Sequence, residues 1–250
     1  MLSTIFNHKS IRKYKSKPVE DKVLDEILKA GIRASNTGSM QVYSIVVTKD
    51  EAIKEKLWEQ HFKQNMVKEA PVVLTFCADF NRFNKWCNLR DAKPAYDNFL
   101  SFYTGSVDAV IAAQNVALAA EAHGLGICYL GTTNYTADKI IEILELPKGV
   151  VPVTTLVLGY PDESPELTPR LPERAVIHNE KYNDFSDSEI EEIYSELENT
   201  DFTKELIKEN ETDNLAQIFT QKRYPKANNL HFSKVLLDVI KNQDFFNNNE

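Results

Sequence analysis

The sequence predicts an α+β protein with one main core and a helical extension, on three observations. Short, strongly apolar runs of strand length ("VYSIVVT", "APVVLTFCADF", "ICYLGTT" and "VPVTTLVLGYP") are separated by segments with helical spacing. A long Ala-rich stretch from Ser106 is apolar or small on almost every side, the mark of a helix covered by protein. After Tyr182 the composition turns acidic and the strand signals stop, which sets the expected boundary between a core of residues 1–182 and an extension of residues 183–250.

Each element has its own warrant. Val19, Val23, Ile27, Leu28 and Ile32 recur at helical spacing behind Pro18 and run out near Gly31. "SNTGSMQ" then reads as a small-residue loop, followed by the strand "VYSIVVT" and one helix or two broken ones in "EAIKEKLWEQHFKQNMVKEA". "APVVLTFCADF" is apolar at nearly every position, as a strand buried on both faces requires. The Ala-rich helix stops at Gly124, and His123 at its end reads as a structural histidine. "TADKIIEILELP" is a short amphipathic helix with Thr136 as its expected cap and Pro147 as its stop. Pro165, Pro169 and Pro172 make "DESPELTPRLPERAVIH" an extended loop, and helical patches return in "SEIEEIYSEL" and "SKVLLDVIKNQDFF".

Apolar residues make up 42% of the chain and charged residues 26%, the balance of an ordinary globular protein. There is neither a signal-peptide pattern nor an apolar run long enough for a membrane span, so a cytoplasmic location is expected. Cys77, Cys87 and Cys128 are odd in number and widely spaced, which suggests free thiols rather than a disulfide framework or a zinc site. Of the formal charge of −8, the stretch from Glu180 to Asp213 carries −10, with 13 acids against 3 lysines, leaving +2 on the remainder. That balance argues against nucleic acid as a partner, because phosphate contacts need clustered Lys and Arg. It leaves room for a small anion, and "NHKSIRKYKSKPV", with His8, Lys9, Arg12, Lys13, Lys15 and Lys17, is the place to look.

Familiar catalytic patterns are missing. The chain has no GxSxG, GxxxxGK[ST], HExxH or post-strand GxGxxG, and His8, His61, His123, His178 and His231 do not fall at metal-ligand spacing. Four separated pieces do form an ordered set: "HKSIRKYKSKPV", "ASNTGSMQ", "GLGICYLG" and "VPVTTLVLGYPDESPELTPRLPERAVIHNEKY". In order and spacing they resemble the flavin-dependent nitroreductase family, in particular its oxygen-insensitive NADPH nitroreductases and flavin reductases, and "FCADFNR" extends the likeness. The resemblance covers roughly Leu2 to Tyr182 well and the extension less closely.

The resemblance implies a nitroreductase-like fold, a central mixed sheet flanked by helices, in an intertwined homodimer with FMN at the subunit interface. It implies His8, Ser10, Arg12 and Arg170 as ligands of the FMN phosphate, whose charge needs charge-assisted donors once it is removed from water. Ser39 and Gln41, in the loop from Ser35 to Gln41, are the implied polar contacts near the flavin. Gln64 matches a position that bonds the pyrimidine edge, and Leu130, Gly131 and Thr132 follow a strand whose end approaches flavin N5 through backbone N–H groups. The implied activity is hydride transfer from NAD(P)H through flavin N5 to a small electrophile: a nitroaromatic, a quinone or free flavin. No catalytic side chain is then needed, since the cofactor carries the chemistry, and no metal is expected.

Two departures stand out. Thr168 occupies the position where relatives carry a Lys, two residues before Arg170, and the extension offers only Lys222, Arg223 and Lys226 where relatives use arginines for NADPH. Two other readings therefore stay open at this point: a flavin-binding storage or sensing protein without turnover, and a flavin-free interaction protein on the same scaffold.

Overall fold

Strand β2, Val72–Asp79, is buried at every one of its eight residues, as the unbroken apolar run requires. The computed structural model describes residues 2–247. Around β2 lie β1 (Tyr43–Thr48), β3 (Gly126–Leu130) and β4 (Val150–Gly159), in the order β1-β2-β4-β3. All three ladders are antiparallel, which corrects the expectation of a mixed sheet. The one parallel pairing among the described residues is an isolated bridge between Ser10 and Ile127. The connection from β3 to β4 shows why: its only α-helix, α7 (Ala137–Ile143), spans about 10 Å, too little to carry the chain back along the sheet for a parallel return. The β2–β4 register slips at Phe76/Cys77, beside Pro152, which has no N–H to give the ladder.

The helices are α1 (Leu2–Phe6), α2 (Asp21–Gly31), α3 (Glu51–Gln60), α4 (Met66–Glu69), α5 (Asn81–Asn88), α6 (Phe99–Ala122), α7, α8 (Asp187–Glu198), α9 (Asp201–Glu209), α10 (Leu215–Gln217) and α11 (Lys226–Asn242). Helix α6 starts at Phe99, well before the expected Ser106, because the Asn98 side chain caps it by accepting from the Ser101 N–H. Ala109, Ala112, Ala113, Val116, Ala117 and Ala120 form its buried face over the sheet, where small side chains allow close packing. Leu100, Tyr103, Val107, Val110 and Ile111 lie exposed along its length, so it is covered on one side rather than all round. Thr136 makes no side-chain cap on α7, and its hydroxyl donates instead to the Gln60 carbonyl at 3.1 Å. His123 stands at the C-cap of α6, 3.5 Å from Glu26. The three cysteines are free and buried.

The chain divides into two compact units. One holds the sheet and comprises the residues up to Glu166 together with those from Phe232 onward; the other is Leu167–His231. In the first, the returning C-terminal stretch supplies Val239, Ile240 and Phe245 to a core with Val42, Phe80, Ala137 and Val151. In the second, α8 opens with a capping box between Ser186 and Glu189, and Ile193, Leu215 and Ile218 are buried. No described helix is long and apolar enough to cross a membrane.

Candidate functional site

The basic N-terminal segment is a strap laid along β3. The Ile11 N–H donates to the Ile127 carbonyl at 2.8 Å, the Lys15 N–H to Tyr160, and the Asp162 N–H to Lys13. Ile11 and Tyr14 turn into the core, and the Tyr14 hydroxyl donates to the Ile11 carbonyl at 2.6 Å. The strap can lie so close because residue 126 is glycine: a Cβ there would sit 2.6 Å from the Ile11 side chain. Ile11 and Tyr14 anchor the strap, while His8 and Ser10 are half-buried and Arg12 is exposed. The His8 Nδ1 is 2.6 Å from the Glu121 carboxylate, while Glu163 accepts from the backbone N–H groups of Arg12 (2.5 Å) and Lys13 (3.1 Å). The Arg12 side chain is exposed, with no hydrogen bond or ion pair among the described residues.

The small-residue loop is held in an unusual shape. Gly38, Ser39 and Gln41 have φ of +55°, +57° and +54°, in the left-handed region. Three contacts hold them there: Asn36 Oδ1 accepts from the Gln41 N–H, the Arg82 guanidinium donates to the Gln41 carbonyl, and Asp108 accepts from both the N–H and the hydroxyl of Thr37 at 2.9 and 3.0 Å. Asp108 is fully buried on α6, and its second carboxylate oxygen has no partner. Asp108, an acid inside the Ala-rich helix, is a signal the sequence does carry; Arg82 and Glu163 lie inside the runs that carry the likeness, but nothing in their spacing marks a role.

Gln64, Leu130, Gly131 and Thr132 come together at the end of β3. The Gln64 amide donates to the His61 carbonyl at 3.0 Å and lies 3.4 Å from the Thr132 hydroxyl, which is 2.8 Å from His61 Nδ1. His61 is fully buried with Nε2 unpartnered, and burial lowers its pKa to about 4, so the ring is neutral at pH 7. Gly131 borders open space: a Cβ there would meet nothing within 4 Å. His61 and Thr132 are 71 positions apart, and no sequence period relates them. Arg170 lies in the second unit, exposed, donating to the carbonyls of Thr168 and Pro169 in its own loop. The predicted residues of the first unit thus form three groups, on the strap, on the loop and at the end of β3.

This arrangement belongs to a known family. Residues 5–160 match the model of the Nitroreductase family. The chain is a member of that family. It is 38% identical over 184 residues to a Bacillus subtilis protein named FMN reductase [NAD(P)H], covering 73% of this chain and 74% of that one. A crystal structure of a Bacteroides fragilis protein superposes with a TM-score of 0.97 at 46% identity, covering 98% of this chain and 100% of that one. The NADPH:FMN oxidoreductase from Vibrio harveyi, solved with NAD+, superposes with a TM-score of 0.84 at 28% identity, covering 98% of each chain.

Proposed function

We propose that this protein is an FMN-dependent oxidoreductase that passes hydride from NAD(P)H to a small electrophile: a nitroaromatic, a quinone or free flavin. The observation that carries the reading is the open edge at the end of β3 in a chain of this family. Gly131 leaves room for a flat ring system, the Gln64 Oε1 has no partner among the described residues, and the Thr132 hydroxyl, seated against the ring nitrogen of His61, stands at the same edge. These groups fit the edge of a flavin, which presents both donors and acceptors. FMN, when bound, supplies the redox chemistry through N5. No acid, base or nucleophile is asked of a side chain, consistent with the absent catalytic motifs.

The protein's own residues bind and orient. His8, Ser10 and Arg12, all carried by the strap, are the proposed phosphate ligands, with Arg170 as a fourth. Ser39 and Gln41 are proposed to contact the ribityl chain or ring from a loop that Asp108 and Arg82 hold in place. The functional core is proposed as residues 1–182, with 183–250 as its extension, the last part of which folds into the first unit. A homodimer is supported by the uncovered apolar stripe of α6. A cytoplasmic location rests on the three unpaired thiols.

The test is direct. Purified protein is expected to be yellow or to bind added FMN, and to oxidise NAD(P)H with a quinone or nitroaromatic acceptor. Arg12→Ala and Arg170→Ala should each weaken FMN binding about 30- to 1000-fold, since each leaves part of the phosphate charge uncompensated. Wild-type FMN affinity in both variants, measured by fluorescence titration, would remove the phosphate assignment, and a colourless protein that takes up no FMN would remove the function.

A further inference from the structure

His61 is explained neither by the family resemblance nor by the apolar core. It is a fully buried, neutral histidine with one ring nitrogen on a hydroxyl and the other on nothing. Its tautomer follows from counting protons. A proton on Nε2 would leave a buried N–H with no acceptor, whereas a proton on Nδ1 has the Thr132 hydroxyl oxygen 2.8 Å away. An orphaned buried donor is the rarer and costlier arrangement, so the proton sits on Nδ1.

The Gln64 amide is fixed by the same count. The carbonyl oxygen of His61, 3.0 Å from it, can only accept, so the NH₂ group faces that carbonyl and also the Thr132 oxygen at 3.4 Å. Thr132 Oγ1 therefore receives two donors, one into each lone pair. Its own hydrogen must point away from both, and no acceptor for it exists among the described residues. The Gln64 Oε1, turned outward by the same bonds, is an acceptor without a donor. A donor and an acceptor are thus held at one edge, beside the open space at Gly131.

We propose that His61 is a positioning residue that locks the Thr132 hydroxyl as a hydrogen-bond donor toward the flavin's imide edge, alongside the acceptor that Gln64 presents. The proposal rests on the FMN reading above. An imide edge offers N–H beside C=O, the complement of this pair. A donor fixed at that edge favours the electron-rich reduced ring over the oxidised one, so the lock biases bound FMN toward its reduced form.

The experiment measures the reduction potential of bound FMN by dye-coupled titration, with the affinity for oxidised FMN measured alongside. The variants are Thr132→Val, Thr132→Ser, His61→Leu and His61→Asn. Thr132→Val keeps the shape and loses the hydroxyl, and His61→Leu loses the lock. Both should weaken binding of reduced relative to oxidised FMN about tenfold, a shift of about 30 mV to more negative potential for a two-electron couple. Thr132→Ser keeps the hydroxyl, and His61→Asn restores an N–H near the Nδ1 position, so both should hold close to the wild-type potential. A residue that only fills the core would change stability and leave the potential alone. An unchanged potential in Thr132→Val, or a shift in His61→Leu that His61→Asn fails to rescue, overturns the proposal. Wild-type protein that binds no FMN removes the reading beneath it, an outcome distinct from either.

Discussion

Phe62 and Lys63 follow the buried His61 with φ of +55° and +56°, two consecutive side chains in a region that costs an L-residue about 1–2 kcal/mol each. Phe62 has a use for its position, because its ring lies against Tyr135 and Phe232. Lys63 is exposed, with a 3.7 Å ion pair to Glu59 of the kind that contributes little. Lys63→Gly is therefore expected to raise stability by about 0.5–1 kcal/mol in urea denaturation, while Phe62→Gly should gain less because it loses the ring contacts. His61 itself makes stability depend on pH. Its folded-state pKa of about 4 lies below the ordinary value of 6.5, so between these the unfolded chain binds more protons. The stabilisation from burying the neutral ring is complete above about pH 6.5 and is lost as the pH falls toward 4. From pH 7 to pH 5 the loss attributable to His61 is about 2 kcal/mol. Urea titrations of wild type and His61→Asn at several pH values should show this extra slope in the wild type and its absence in the variant.

At the scale of elements, the strap and β3 are joined at one tight contact, Ile11 against Gly126. Gly126→Ala would force the strap off the strand, at about 1–3 kcal/mol, and should weaken FMN binding as well, since His8, Ser10 and Arg12 ride on the strap. A stability loss with unchanged FMN affinity would show that the phosphate contacts do not depend on the strap's seat. The strap also shows how far sequence reading reaches. Strand β2 was legible because eight residues buried on both faces leave an unbroken apolar run, and the basic residues of the strap were legible as a charge cluster. The start of α6 was not, since the cap at Asn98 precedes Phe99–Tyr103, which lacks the Ala-rich signature that marked the rest. The sheet's antiparallel order escaped the resemblance, for strand direction depends on where connections return. At the site, Gln64 and Thr132 could be named from the resemblance but not placed in contact, and His61 carried no signal because its role exists only once residues 71 apart meet.

For the whole molecule, the exposed apolar stripe on α6 sets the assembly expected in solution. If the proposed homodimer forms through that stripe, Val110→Lys, which puts a charge in its middle, should convert dimer to monomer in sedimentation and release FMN with it; monomers that keep full FMN occupancy would place the complete site within one chain. The charge distribution bears on the reductant. The extension holds Arg223, packed 5.7 Å from the Phe219 ring, near Lys222 and after a strongly acidic stretch. A preference for NADPH over NADH of about tenfold or less is expected in kcat/KM, equivalent to about 1.4 kcal/mol. A preference above a hundredfold that Arg223→Ala leaves intact would locate the phosphate contact elsewhere in the chain.

The return of the C-terminal stretch to the first unit has a consequence for the protein's birth. Phe80 packs against Phe245, and the Gly149 N–H bonds the Gln243 carbonyl, so part of the core joins the first third and the middle of the chain to its C-terminal stretch. A ribosome adds about 5–20 residues per second, which leaves Phe80 waiting on the order of 10 s for its partner. During that interval the parts of α5, α7 and β4 that the C-terminal stretch will cover stay open. Until Val239, Ile240 and Phe245 have been made, nascent chains are therefore expected to present that apolar surface to chaperones that hold it.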